Sequence, residues 1–196
     1  METLNKELLE ETVTLLADLT EAFEPSHFVV CGGSSLLALG LVRRKTTRDV
    51  DLLARVQDGE LVNAGPLPAP FVEAIEQVRR DFSLLDNWFN TAPSDDTFFR
   101  FGFPAGMLER VETRRYGRSL TLSYISRYDQ IHFKLYAAAD SGPGRHLDDL
   151  VDLAPSEEEL VAAIRWVFLH DDSEGFRFNL SSILTTLGHD GLLERI

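Results

Sequence analysis

The sequence has little cysteine, no long apolar run and few basic residues. Its one cysteine, Cys31, excludes a disulfide within these 196 residues and a cysteine-rich zinc site. No apolar run approaches the roughly 20 residues that span a bilayer. The opening residues METLNKELLEE are acidic where a signal peptide needs a basic start and an apolar stretch. We therefore expect a cytoplasmic protein that has no membrane partner.

Basic residues are outnumbered, since 19 lysines and arginines accompany 32 acidic residues and the formal net charge is −13. A surface of that sign repels nucleic acid unless cations gather locally. The basic residues form two clusters along the sequence. Each cluster is either a set of solvated loop residues or a local phosphate site. The first basic cluster is Arg43, Arg44, Lys45 and Arg48, and the second basic cluster is Arg110, Arg114, Arg115 and Arg118.

The length and the apolar fraction of 44% suit one domain, or a small domain with a helical appendage. Hydrophobic periodicity and turn residues predict the α/β (α+β) class, with an α/β part over 1–125 and a helical part over 126–196. The predicted elements are a helix over 2–23, strands over 27–31 and 49–55 with a helix over 34–42 between them, a loop over 57–70, a helix from Phe71, a hairpin of 111–114 and 120–125, and helices thereafter.

Two capping patterns support the helical assignment of the last third of the chain. Ser126-x-x-Asp129 and Ser156-x-x-Glu159 each place a hydroxyl three residues before an acid and ahead of an apolar run. The segment 86–106 is rich in aromatic residues and gives no clear pattern. Its rings are either core residues or part of a wall that stacks on a base.

Asp49 and Asp51 begin the second predicted strand and carry the first chemical signal. Alternate residues of a strand point to one side, so the two carboxylates project together while Val50 faces the core. Two carboxylates so placed can bind a shared hard cation such as Mg²⁺. An Asp-x-Asp pattern alone is more often an ordinary surface strand.

Gly32 and Gly33 carry the second signal, because they follow an apolar strand and precede a helix. Glycine permits a sharp bend and the close approach of a ligand, and a helix start offers free N–H groups. We expect this turn to bind nucleotide phosphates together with hydroxyl and basic groups. The additional residues predicted to bind the nucleotide are Ser34, Ser35, Thr47 and Arg48.

Together these residues resemble the polymerase-β-like nucleotidyltransferase superfamily, in which Gly-Gly or Gly-Ser follows a strand and Asp-x-Asp lies on the next strand. The chain is most similar to the AbiEii/MenT-type toxins and related small bacterial nucleotidyltransferases. Their Gly-Gly-x-Ala and Arg-x-Thr-x-Asp-Ile-Asp segments correspond to residues 32–35 and 45–51 here, with Ser35 where alanine is common.

A second match lies in the helical part. Relatives carry Asp-Leu-Ile-x-x-Lys-Leu-x-Ala and then Arg-Asp-Leu-x-Asp-Leu, which correspond to residues 129–137 and 145–150. The resemblance implies that Lys134 contacts phosphates and that Asp149 belongs to the site. His146 replaces the first aspartate of the second motif, and Asp148 is an alternative to it. On the residues alone, Lys134 lies on an apolar helical face and either extends to solvent or meets an anion.

The resemblance implies a nucleotidyltransferase-type mixed sheet and Mg²⁺-dependent transfer of an NMP group from an NTP donor. One or two Mg²⁺ ions would be bound by Asp49 and Asp51. The implied acceptor is a tRNA 3′ end, a protein hydroxyl or a small molecule, and the implied partner is the cognate antitoxin of a toxin–antitoxin pair. The alternative is a non-catalytic protein of this fold that binds a nucleotide or a protein partner. Candidates for a third carboxylate are Asp95, Glu109 and Glu112.

Overall fold

The computed structural model describes residues 2–94 and 96–196 and confirms the α/β class. Six strands form one mixed sheet, and helices cover both of its faces. The strands are β1 (Ser26–Cys31), β2 (Val50–Gln57), β3 (Glu60–Val62), β4 (Phe89–Asn90), β5 (Glu112–Tyr116) and β6 (Leu120–Tyr124). The α-helices are α1 (Lys6–Leu19), α2 (Gly32–Ala38), α3 (Ala69–Asp81), α4 (Asp96–Phe101), α5 (Arg127–Ser141), α6 (Gly144–Leu153), α7 (Glu157–Val167) and α8 (Glu174–Thr186).

Strand β1 lies in the middle of the sheet, whose order is β3-β2-β1-β6-β5. It pairs antiparallel with β2 and parallel with β6. Two short strands pair with the edge of β2 that faces away from β1. Strand β3 pairs antiparallel with the end of β2, and β4 pairs parallel with its start. The start of β2, which holds Asp51 and directly follows Asp49, therefore lies between β1 and β4.

The two faces of the sheet bury separate apolar clusters, as the alternation of side chains along a strand requires. Phe28 and Val30 of β1 pack with α1 and α3. Val29 of the same strand packs with α5, α6, α7 and α8 on the other face. The second cluster joins residues from both sides of the predicted division at 125/126, because Leu36 and Leu53 belong to it together with Ile131 and Leu135.

Most predicted elements are confirmed, and the differences lie at boundaries and in short strands. The first helix is shorter than predicted: it begins at Lys6, after the N-cap Asn5, and ends at Leu19. The loop predicted over 57–70 is wrong in part because it contains β3, which forms a tight hairpin with β2. Among the described residues, no helix is long and apolar enough to cross a membrane.

The two predicted capping patterns differ in outcome. Ser156 and Glu159 form a reciprocal capping box at the start of α7. Ser126 caps α5 by accepting from the Asp129 N–H at 3.3 Å, but the Asp129 carboxylate does not return to the backbone. It accepts from the Ser126 hydroxyl and binds Arg110 instead, each at 2.6 Å. The prediction at Ser126 is therefore correct for the hydroxyl and wrong for the carboxylate, because a nearby guanidinium binds it.

Candidate functional site

One large cleft opens beside the start of β2 and has a volume of about 950 Å³, the size range of ligand sites. The glycine turn, the acidic pair and residues of α5 all contribute to its lining. The residues predicted for the site that line the cleft are Gly32, Gly33, Thr47, Arg48, Asp49, Asp51 and Lys134.

The glycine turn meets the acidic strand because β1 and β2 are paired. Cys31 lies opposite Asp51 in the antiparallel register, so the next residue, Gly32, lies directly beside that carboxylate. Gly32 has φ +67°, and a Cβ built on it would lie 2.5 Å from Asp51 Oδ2. Two segments 19 residues apart in the chain thus share one edge of the cleft, and only glycine fits there without strain.

Gly33 has an equally close neighbourhood. A side chain at this position would collide with the Thr47 hydroxyl, and its Cβ would lie 3.0 Å from the Arg44 guanidinium. The side chains of Thr47 and Arg44 therefore pack on the backbone of the turn. The Thr47 hydroxyl is also placed by a weak donation to the Asp49 carbonyl oxygen at 3.5 Å. A ligand at the turn would meet backbone, hydroxyl and guanidinium groups together.

The two carboxylates project as predicted, with Val50 fully buried between them and both acids at the cleft. The pKa of Asp51 is raised, chiefly by burial and then by the charge of Asp49. A divalent cation bound here would neutralise the charges of Asp49 and Asp51. It would thereby offset both the cost of burying the Asp51 carboxylate and its repulsion by Asp49. The donor set of two carboxylates suits Mg²⁺, which keeps several water ligands. Within 2–94 and 96–196, no group of three or more Asp, Glu, His or Cys residues is arranged so that it could hold a metal ion.

Ser34 and Ser35 lie elsewhere than predicted. Both are fully buried. The Ser34 hydroxyl donates to the Cys31 carbonyl oxygen at 3.3 Å, and the Ser35 hydroxyl donates to the Ile125 carbonyl oxygen at 3.1 Å. In α2 both side chains point into the protein interior. Their hydroxyls therefore link α2 to the end of β1 and to the residue that follows β6, and they do not face the cleft.

Lys134 and Asp149 form a buried ion pair, with Nζ and Oδ2 separated by 2.8 Å. Asp149 also binds the Arg44 guanidinium. Lys134 and Arg44 line the cleft, whereas Asp149 lies behind them. Asp149 therefore fixes two cations, Lys134 and Arg44, at the cleft wall. Asp148, the alternative, is exposed and lies outside the cleft.

The two basic clusters have different environments. In the first basic cluster Arg44 and Arg48 line the cleft, and Arg43 binds Asp152 at 2.6 Å outside it. In the second basic cluster three arginines are bound by carboxylates within the fold. These pairs are Arg110 with Asp129, Arg114 with Glu10 and Glu112, and Arg118 with Glu21. Only the first basic cluster therefore contributes to the candidate site.

Aromatic rings form one wall of the cleft. Phe98 of α4 lies 5.2 Å from the ring of Phe133 and 5.8 Å from that of Tyr136, both on α5, and all three line the cleft. Trp88 and Phe89 are buried in the core against α3 instead. The aromatic segment thus divides between core and cleft, as its two interpretations allowed.

Three cleft residues have a role in the site that the sequence did not predict. Asn90 donates from Nδ2 to Asp51 Oδ1 at 3.1 Å. Gln130 is fully buried and donates from Nε2 to the Gly32 carbonyl oxygen at 3.4 Å. His146 has a pKa lowered to about 4 by burial and by the charges of Lys134 and Arg145, so it is neutral at pH 7. The sequence does contain a signal for two of these residues. Asn90 ends an Asn-rich aromatic segment, and Gln130 is a polar residue on the apolar face of α5.

The two described candidates for a third carboxylate, Glu109 and Glu112, do not line the cleft with the acidic pair. Glu112 on β5 binds Arg114 at 2.7 Å, and Glu109 lies in a 3₁₀ turn, so both are outside the cleft. Asp95 lies outside the described residues. Comparisons of the chain with protein-family models, with curated proteins and with solved structures find no match.

Proposed function

We propose that this protein is a Mg²⁺-dependent nucleotidyltransferase that moves an NMP group from an NTP to an acceptor hydroxyl. The observation that carries the proposal is the contact between the glycine turn and Asp51, which lets one metal–triphosphate group touch both. Polymerase-β-like nucleotidyltransferases, which the sequence resembles, have the same order of glycine turn, helix and acidic strand. The proposal places the reaction in the cytoplasm, where NTPs and Mg²⁺ are abundant.

The charges lining the cleft support an anionic ligand. Its described lining includes four cations and three carboxylates, although the whole chain carries a net charge of −13. Because this lining is close to neutral, it repels phosphates less than the rest of the acidic surface does. The lining charges are Arg44, Arg48, Lys134 and Arg145 on the positive side, and Asp49, Asp51 and Asp140 on the negative side.

Each group has a task in an in-line displacement at phosphorus. Asp49 and Asp51 would hold Mg²⁺, which neutralises charge on the phosphates when bound. The glycine turn would lie beside the triphosphate, and Arg44 and Lys134 would meet its oxygens. The acceptor oxygen bonds to the α-phosphorus as the bond to pyrophosphate breaks, and the hydroxyl proton passes to solvent.

The proposal is tested first by ligand-dependent stability. Mg²⁺ with an NTP at about 100 times its Kd should stabilise the wild type by roughly 2.7 kcal/mol. The Asp49→Asn, Asp51→Asn double variant should gain nothing from the same ligands. Without ligand the double variant should be at least as stable as the wild type, because it lacks the repulsion between the carboxylates of Asp49 and Asp51. Equal stabilisation of both proteins would overturn the assigned site.

Transfer itself needs a labelled donor. Incubation with α-labelled NTPs, Mg²⁺ and either tRNA, total protein or small hydroxyl compounds should label one acceptor class, and the double variant should label none.

A second candidate function is binding without transfer, favoured because the described residues hold no group of three or more side chains that could bind a metal ion. It predicts full Mg²⁺–NTP stabilisation of the wild type with no label in any acceptor.

A further inference from the structure

Strand β4 brings Asn90 to the acidic pair. Its two residues pair parallel with the start of β2, and the register places Asn90 beside Asp51. The Asn90 amide donates to Asp51 Oδ1 at 3.1 Å. The other carboxylate oxygen, Oδ2, faces the Cα of Gly32. The two oxygens of Asp51 thus have distinct neighbours, one in β4 and one at the glycine turn.

The orientation of the Asn90 amide is fixed by its other hydrogen bonds. Nδ2 also donates to the Asn87 carbonyl oxygen at 3.1 Å, and Oδ1 accepts from the Ala92 N–H at 2.9 Å. Exchanging the amide oxygen and nitrogen would place acceptor against acceptor at two contacts and donor against donor at the third. The turn over 87–92 therefore presents an N–H to Asp51 and cannot present an oxygen.

We propose that Asn90 is a positioning residue that occupies Asp51 Oδ1 and so assigns Oδ2 to the cation. The inference rests on the proposed function, because it concerns the same cation. Asn90 needs no contact with the nucleotide for this role, since it acts through the carboxylate. Groups that orient a metal-binding side chain typically change metal affinity about 10- to 100-fold when they are removed.

The test measures Mn²⁺ binding by titration calorimetry in the absence of nucleotide. Asn90→Ala should raise the Kd about 10- to 100-fold. Asn90→Leu keeps the volume without the donor and should do the same, so it preserves the test if the alanine variant does not fold. The matched control is Asn87→Ala, which removes an asparagine side chain from the same wall of the cleft and should leave the Kd unchanged.

A double-variant cycle separates positioning from a general structural effect. In an Asp51→Asn background, Asn90→Ala should weaken Mn²⁺ binding no further, because the residue acts only through Asp51. Equal affinity in the wild type and both Asn90 variants, or an additive loss in the cycle, would overturn the inference. Absence of Mn²⁺ binding by the wild type would instead overturn the proposed function, so the two failures are distinguishable.

Discussion

Position 32 requires glycine for two separate reasons. Its φ of +67° is a left-handed conformation, and its Cα faces Asp51 Oδ2 with no room for a methyl group. Gly40 has almost the same φ, +68°, but a Cβ there would meet nothing within 4 Å. A substitution at Gly40 therefore introduces backbone strain alone, whereas the same substitution at Gly32 also introduces a clash with Asp51.

We expect Gly40→Ala to cost about 1–2 kcal/mol of stability from backbone strain alone and to leave Mg²⁺–NTP binding unchanged. Gly32→Ala should cost more, because it also displaces Asp51, and it should abolish that binding. Chemical denaturation gives the stabilities, and nucleotide-dependent thermal shifts give the binding. Normal nucleotide binding by Gly32→Ala would show that the turn does not contact the ligand.

His146 provides a prediction about pH. Its pKa in the folded protein is about 4, against 6.5 for an ordinary histidine, so protonation favours the unfolded chain. Its contribution to stability is therefore complete above pH 6.5 and is lost as the pH falls towards 4. His146→Gln should lose less stability over that interval than the wild type, as measured by denaturation at a series of pH values. Parallel curves for the two proteins would contradict the low pKa.

At the residue scale, the sequence predicts the site where backbone geometry alone decides the direction of a side chain. Asp49 and Asp51 follow from strand alternation, and Gly32 follows from the turn. Ser34 could not be placed, because its direction depends on how α2 sits on the sheet. Asn90 was missed, because its contact with Asp51 joins residues 39 apart through a strand of only two residues.

At the scale of elements, Leu4, which lies ahead of α1, holds the loop that precedes β2. Leu4 and Thr47 exchange two backbone hydrogen bonds of 2.8 Å, and the Leu4 side chain is fully buried. Thr3 lines the cleft beside them. The segment 46–49 is thus held between the glycine turn and the start of the described chain.

Leu4→Ala should destabilise the protein by about 2–5 kcal/mol and also weaken Mg²⁺–NTP binding, because the loop at Thr47 loses its support. Leu9→Ala removes an equally buried leucine from α1 in the same apolar cluster. It should lower stability similarly while leaving affinity unchanged. Calorimetry at a temperature where both variants stay folded distinguishes the two. Equal affinities would mean that Leu4 supports the core alone.

Elements with their own periodicity or caps were predictable, and elements that depend on a partner were not. Strand β1, the β5–β6 hairpin and the capped helix α7 each carry a local pattern. Strands β3 and β4 have three and two residues, and they exist because β2 offers a free edge. Pairing of this kind leaves no periodic trace in the sequence.

At the scale of the whole molecule, the helical part is joined to the α/β part by a shared core. Val29, Leu36 and Leu53 pack in one cluster with residues of α5, α6, α7 and α8. Gln130 of α5 also donates to the glycine turn. The helical part therefore contributes both to the cleft and to the burial of one face of the sheet.

A fragment of residues 1–125 should consequently lack a cooperative thermal transition, because the apolar face of its sheet would lie in water. Circular dichroism of the fragment beside the full chain measures this. The matched fragment, residues 126–196, should also remain without a fixed tertiary structure. A sharp transition in either fragment would show that the two parts are independent domains.

The contact of Leu4 with Thr47 has a practical consequence for anyone who handles the protein. Any peptide joined ahead of Thr3 would emerge at the rim of the cleft, where it could obstruct ligands or pull on the loop. Affinity tags and fluorescent labels are therefore better placed after Ile196 than ahead of Thr3.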